Sequence, residues 1–246
     1  MALSGQYPLL AQKKIASGPQ QIAASVPFVG CKSDGQVGPV EAPTGASRSL
    51  PLGPAAAKAL AYYRSAQGAA VLAPRGWYCL GDYGSGGDSL FVSPQPIDTK
   101  TLFSPVRGGL AGPAVTVVHR YGMTSGRFSV AEIIARVFPA YKAFATGVAD
   151  EFSPPVISLP SGPYPTDSLT YKSKAVVEYM TPGQRDGLGT YWWLKKDASP
   201  IAGAAVLVGN PPDLLLLAMR VPAELNSFEP AVLDQFEREA KHLPNR

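Results

Sequence analysis

Glycine and proline punctuate this chain from end to end, 25 of each among 246 residues. Glycine reaches backbone conformations that other residues avoid, and proline fixes φ and withholds an amide donor. Each therefore ends or bends a regular element. Spread along the whole sequence, they predict many turns and short elements, and they exclude a long helical bundle. Hydrophobic residues make up 46% and charged residues only 16%, the reverse of the balance in a disordered chain. A chain of this length can bury a large core.

Between the breaks the hydrophobic pattern mixes two periods. "GPAAAKALAYYRSAQG" opens at Pro54 and closes at Gly68, with Ala56, Ala59, Leu60 and Tyr63 at helical spacing, which predicts a helix. "AAVLAP", "GWYCLG" and "SLFVSP" predict a meander of short strands, and "AVTVVHRY" (Ala114 to Tyr121) another strand. Ser129 and Glu132 make a capping-box pattern ahead of an apolar face running from Val130 to Val148. Pro139 lies inside that face, where a kink or break is expected. "LTYKSKAVVEYMTP", "IAGAAVLVG" and "LLLLAMRV" each read as a strand. For the last, a helix capped at Asn210-Pro211 is the rival, but Leu214 to Ala218 is apolar all round, which favours a buried strand. "EPAVLDQFEREAKHL" closes the chain as a helix with Val232, Leu233, Phe236 and Ala240 on one face. Helices in three places, without regular βαβ alternation, give the expected fold class. It is α+β, a mainly antiparallel twisted sheet with about three helices packed on it. Residues 1–25 read as a flexible leader and 26–246 as a single α+β domain.

The net charge is +4 and the isoelectric point about 9.0, but the basic residues are dispersed. Lys13-Lys14, Lys172 with Lys174, and Lys195-Lys196 are small separate groups, not the helix or stripe of a nucleic-acid binder. No nucleic-acid partner is expected. No window of 18 apolar residues runs unbroken, so no transmembrane segment is expected either. Cys31 and Cys79 lie 48 positions apart, without CxxC spacing and with His119 and His242 both distant. Clustered zinc ligands are missing, so no metal or other cofactor is expected. A Cys31–Cys79 disulfide is the economical reading, stapling "VPFVGCKSDGQVGP" (Val26 to Pro39) to "GWYCLG"; two buried free thiols are the alternative. A disulfide implies an oxidising compartment, hence a periplasmic or secreted protein. The first 25 residues lack the apolar stretch of a signal peptide. Export therefore requires a signal removed ahead of this chain; the other reading is a cytosolic protein.

Three stretches invite chemistry. "GDYGSGGDS" (Gly81 to Ser89) has glycines at phosphate-loop separation, but Gly87-Asp88 stands where Lys-Ser/Thr is required; a hairpin turn explains it. "GMTSG" (Gly122 to Gly126) lies between strand and helix like a nucleophile elbow, yet Thr124 occupies the central position and Ser125 is one place out of register. In "TYWWLKK" (Thr190 to Lys196) a strand would turn Trp192 and Trp193 to opposite faces. One indole would then lie on the surface beside Lys195 or Lys196, or pack under the proline-rich stretch "EFSPPVISLPSGPYPTD". The candidate binding residues are Trp192, Trp193, Lys195, Tyr83 and Ser85; no catalytic residue is assigned.

Taken together, "VPFVGCKSDGQVGP", "LAPRGWYCLGDYGS", "TSGRFSVAEIIARVFP" and "SGPYPTDSLTY" resemble an uncharacterised family of exported bacterial proteins, from about Val26 to His242. The resemblance implies export and a similar domain, with no activity or catalytic residues to carry over. The expected function is a non-catalytic, envelope-associated binding or structural protein, its partner a cell-envelope glycan or protein. The alternative is a hydrolase with Ser85 or Ser125 as nucleophile and His119 as base.

Overall fold

The computed structural model describes residues 23–68, 70–105, 108–155 and 157–242. Strands β1 (Ala23–Val26), β2 (Phe28–Cys31), β3 (Ser33–Gly35) and β4 (Arg48–Pro51) precede helix α1 (Pro54–Ala59). Then come β5 (Leu60–Ser65), β6 (Ala70–Pro74), β7 (Tyr78–Gly84), β8 (Gly87–Ser93), α2 (Thr99–Leu102) and β9 (Ala114–Arg120). Helices α3 (Arg127–Val137) and α4 (Lys142–Ala149) follow, then β10 (Ser168–Ser173), β11 (Val176–Thr181), β12 (Ile201–Val208), β13 (Asp213–Arg220) and α5 (Glu229–Ala240).

The α+β class holds, with a larger and more mixed sheet than expected. Eight strands run in the order β10-β11-β12-β13-β9-β8-β7-β3. All neighbours pair antiparallel except β3, which joins the β7 edge parallel. A three-stranded sheet β2-β5-β6 and a pair β1-β4 complete the β structure. Five α-helices occur among the described residues rather than about three, two of them, α1 and α2, only 6 and 4 residues long. Alternation along the central strands sends Leu90, Val117, Leu215 and Val206 to one face, with β5, β6 and α5. It sends Val118, Leu214, Leu216 and Ala205 to the other, with α3 and α4.

Several local expectations change. The helix from Pro54 stops at Ala59, and Leu60–Ser65 continues as a strand. Leu60, Ala61, Tyr62 and Tyr63 are all buried, and a run buried on both faces satisfies helical spacing by accident. Helix α3 starts at Arg127 with Gly126 as N-cap, so Ser129 lies inside it and closes no capping box. The turn bond from Arg127 N to Thr124 O starts the helix early. The break at Pro139 is present: α3 ends at Val137 and a 3-10 turn, Pro139–Tyr141, leads into α4. "LTYKSKAVVEYMTP" is a hairpin of two strands, β10 and β11, rather than one. "LLLLAMRV" is strand, with all of Asp213–Arg220 buried.

"TYWWLKK" is not a strand. A 3-10 turn, Leu188–Thr190, opens it, and Leu194 makes an isolated bridge to Leu110. The Asp167 carboxylate accepts from Leu188 N at 2.9 Å and from Thr181 Oγ1 at 2.7 Å, and this clasp from another part of the chain curls the segment. Of the leader, residues 1–22 lie outside the described residues, while Ala23–Ser25 belong to β1 and pair with β4. Among the described residues, no helix is long and apolar enough to cross a membrane.

Candidate functional site

Glycines decide where the surface opens. At Gly87 φ is +145°, and a Cβ there would lie 2.0 Å from the His119 carbonyl oxygen. At Gly126 a Cβ would lie 2.1 Å from the Gly86 oxygen. Only glycine allows the β7–β8 turn to close on β9 and on the start of α3 at these distances. The junction leaves a cleft of about 250 Å³, open to solvent, lined by Asp82, Arg120, Ser125 and Ser129 with the glycines between them.

Arg120 ends β9 on the face covered by α3. Its Nη1 donates to the carbonyl oxygens of Asp88 (3.4 Å) and His119 (3.3 Å), and its guanidinium lies 5.3 Å over the Trp192 ring. These contacts hold the group without neutralising it, and among the described residues no carboxylate closes an ion pair with it. Burial lowers its pKa, opposed by Asp82 and Asp88; an arginine stays charged regardless. Burial likewise raises the Asp82 carboxyl, with Arg120 opposing. Ser89, directly across from Asp82, is fully buried, and its hydroxyl has no hydrogen-bond partner among the described residues. The N-cap Gly126 offers α3 no side-chain cap, so the helix start faces the cleft with amide donors to spare.

His119 points the other way. Its Nδ1 lies 3.3 Å from Asp88 Oδ2 and its Nε2 3.6 Å from Asp213 Oδ2. Tyr121 donates to Asp88 at 2.8 Å, and Gly122 N donates to Asp213 at 2.7 Å. Burial disfavours the imidazolium, but the hydrogen bonds and charges of Asp213 and Asp88 outweigh it, and the pKa rises above 6.5. Both ring nitrogens face carboxylates, and the sheet separates His119 from Ser125. Ser85 sits in the exposed turn, its amide bonded to Gln36 Oε1 at 2.9 Å. No Ser–His–carboxylate group is assembled from the residues the hydrolase reading named. Among the described residues, no group of three or more His, Cys, Asp or Glu is arranged to hold a metal.

Cys31 and Cys79 are disulfide-bonded, with Cα atoms 5.4 Å apart. Of the candidate binding residues, Tyr83 lines the cleft and its hydroxyl donates to Gly38 O at 2.6 Å; Ser85 sits in the adjoining turn and Trp192 lies under Arg120. Trp193 and Lys195 are elsewhere. Trp193 is half-buried, edge-on to Phe91 and Phe103 at 5.3 Å each. Lys195 is held by its backbone, its N donating to Leu110 O and its O accepting from Arg220. Arg120 and Asp82 were not among the sequence candidates. The available signal was parity, because an arginine next to His119 at a strand end must face the opposite side. No family model, curated protein or solved structure matches this chain.

Proposed function

We propose that this is an exported, non-catalytic binding protein of the cell envelope, and that its cleft seats the carboxylate or phosphate of a ligand on Arg120. The observation that carries the reading is the Arg120 guanidinium, braced by two carbonyls and an indole yet left without a carboxylate partner among the described residues. A planar cation held this way forms charge-assisted, bidentate hydrogen bonds to an arriving anion. The Cys31–Cys79 disulfide supports a periplasmic or secreted location, since such bonds persist in oxidising compartments. The resemblance to exported bacterial proteins points the same way. An envelope glycan or protein carrying an acidic group is the partner this reading calls for. Hydrolysis is the weaker reading, because His119 is committed to two aspartates on the far side of the sheet.

Trp192 reports on the site because it touches Arg120. Titrating acetate, and separately inorganic phosphate, at low ionic strength should change tryptophan emission saturably for at least one of them. The change should vanish in Arg120→Met protein whose circular dichroism is unaltered. A response that never saturates for either anion, or that is identical in the variant, would overturn the proposal.

A further inference from the structure

We infer that the ligand is an amino-acid-type zwitterion, its carboxylate on Arg120 and its primary ammonium on Asp82; this rests on the anion seat proposed above. In the sheet, Arg120 stands across from Gly87 and Asp82 across from Ser89, so the two opposite charges flank β8 diagonally on one face. Strand spacing of about 4.8 Å and rise of about 3.4 Å per residue place their Cα atoms about 12 Å apart. The β8 positions between them on that face are Gly87, which has no side chain, and Ser89, whose small side chain is fully buried, while Gly84 next to Gly87 also leaves its place open. Asp82 and Arg120 act on each other electrostatically but close no ion pair. Two separated, uncancelled charges across a floor of glycine and one buried serine complement a molecule that carries the opposite charges in the opposite order.

Other features strengthen each pole. Asp34 also acts on Asp82, which makes that end of the cleft more favourable to a cation. Ser125 and Ser129 line the cleft as neutral hydroxyls, able to donate to a carboxylate. The buried Ser89 hydroxyl lies beside Asp82 on the neighbouring strand, with no hydrogen-bond partner among the described residues. A simple anion would use only the Arg120 pole and leave Asp82 facing it as a like charge. The second pole therefore discriminates between acids and amino acids.

The test compares acetate with glycine, β-alanine and 4-aminobutyrate on the full chain, followed by tryptophan emission and by thermal shift. At least one amino-carboxylate should bind tenfold or more tightly than acetate. In Asp82→Asn protein that preference should disappear, so that the amino-carboxylates and acetate bind alike. If acetate binds and none of the three binds more tightly, the zwitterion inference is overturned while the anion seat stands. Should neither acetate nor any amino-carboxylate nor phosphate bind, both fall. A preference that persists undiminished in Asp82→Asn would also overturn the inference.

Discussion

Removing the Cys31–Cys79 disulfide should cost this protein a large part of its stability. Cys31 ends β2 in the three-stranded sheet, and Cys79 lies in β7 of the eight-stranded sheet. The bond ties the two sheets together at the point where the chain passes from β2 in one to β3 in the other. Besides it, β3 is held by short contacts: the Ser33–Gly35 pairing with Gly81–Tyr83, a two-way backbone bridge between Ser33 and Val40, and backbone bonds from Gly81 N to Lys32 O (2.7 Å) and from Gln36 N to Tyr83 O (3.2 Å). The 48-residue separation corresponds to about 4 kcal/mol of loop-closure entropy removed from the unfolded chain. A domain of this size loses about 2–4 °C of melting temperature per kcal/mol, so the expected drop is about 8–16 °C. The assay is calorimetry on the Cys31→Ala/Cys79→Ala double variant, in which no buried hydroxyl is introduced and no reductant is needed. Hydrogen exchange on the same protein should show the amides of Gly81 and Gln36 losing protection ahead of β8 and β9. A drop below about 3 °C would refute the argument that the bond constrains the unfolded chain. Unchanged exchange at Gly81 and Gln36 would refute its placement as the clamp on β3.

Two further outcomes follow from the site. Because His119 has a pKa raised above 6.5 in the folded protein, its charged form contributes stability that is fully present below about pH 6.5 and lost as pH rises through the folded value. The melting temperature should therefore fall across that rise, and His119→Gln protein should lack this limb; an identical pH profile in the variant would contradict the assignment. Gly126→Ala would place a Cβ 2.1 Å from the Gly86 oxygen and force apart the two turns that form the cleft. It should cost about 1–3 kcal/mol by urea unfolding and weaken anion binding, whereas a neutral effect on both would mean that the close approach is not what shapes the site.

Much of the fold was legible because its signals are local. Alternation and burial-friendly composition marked β8, β9, β12 and β13, the apolar face marked α5, and Pro139 marked the break between α3 and α4. The cysteine pairing followed from having two cysteines and no chelating company. What failed was decided by distant residues. Tyr62 and Tyr63 became strand because two layers bury them, and Trp192 lost its strand because Asp167 captures the Leu188 amide. The parallel placement of β3 beside β7 depends on a crossing that no periodicity records. The cleft was half legible: its glycines read as a hairpin turn, and Tyr83 and Ser85 as candidate binding residues. Asp82 and Arg120 belong to strands 38 positions apart in the chain and meet only through the sheet register.

The most direct test of the central claim is to watch the Arg120 side chain itself. With the arginine Nε–Hε resonances assigned by NMR, acetate should be titrated at low ionic strength, with the exposed Arg48 and Arg64 as internal controls. The account predicts that the Arg120 resonance moves saturably while those of Arg48 and Arg64 stay in place. An Arg120 resonance that does not move, or three arginines that drift together without saturation, would contradict it.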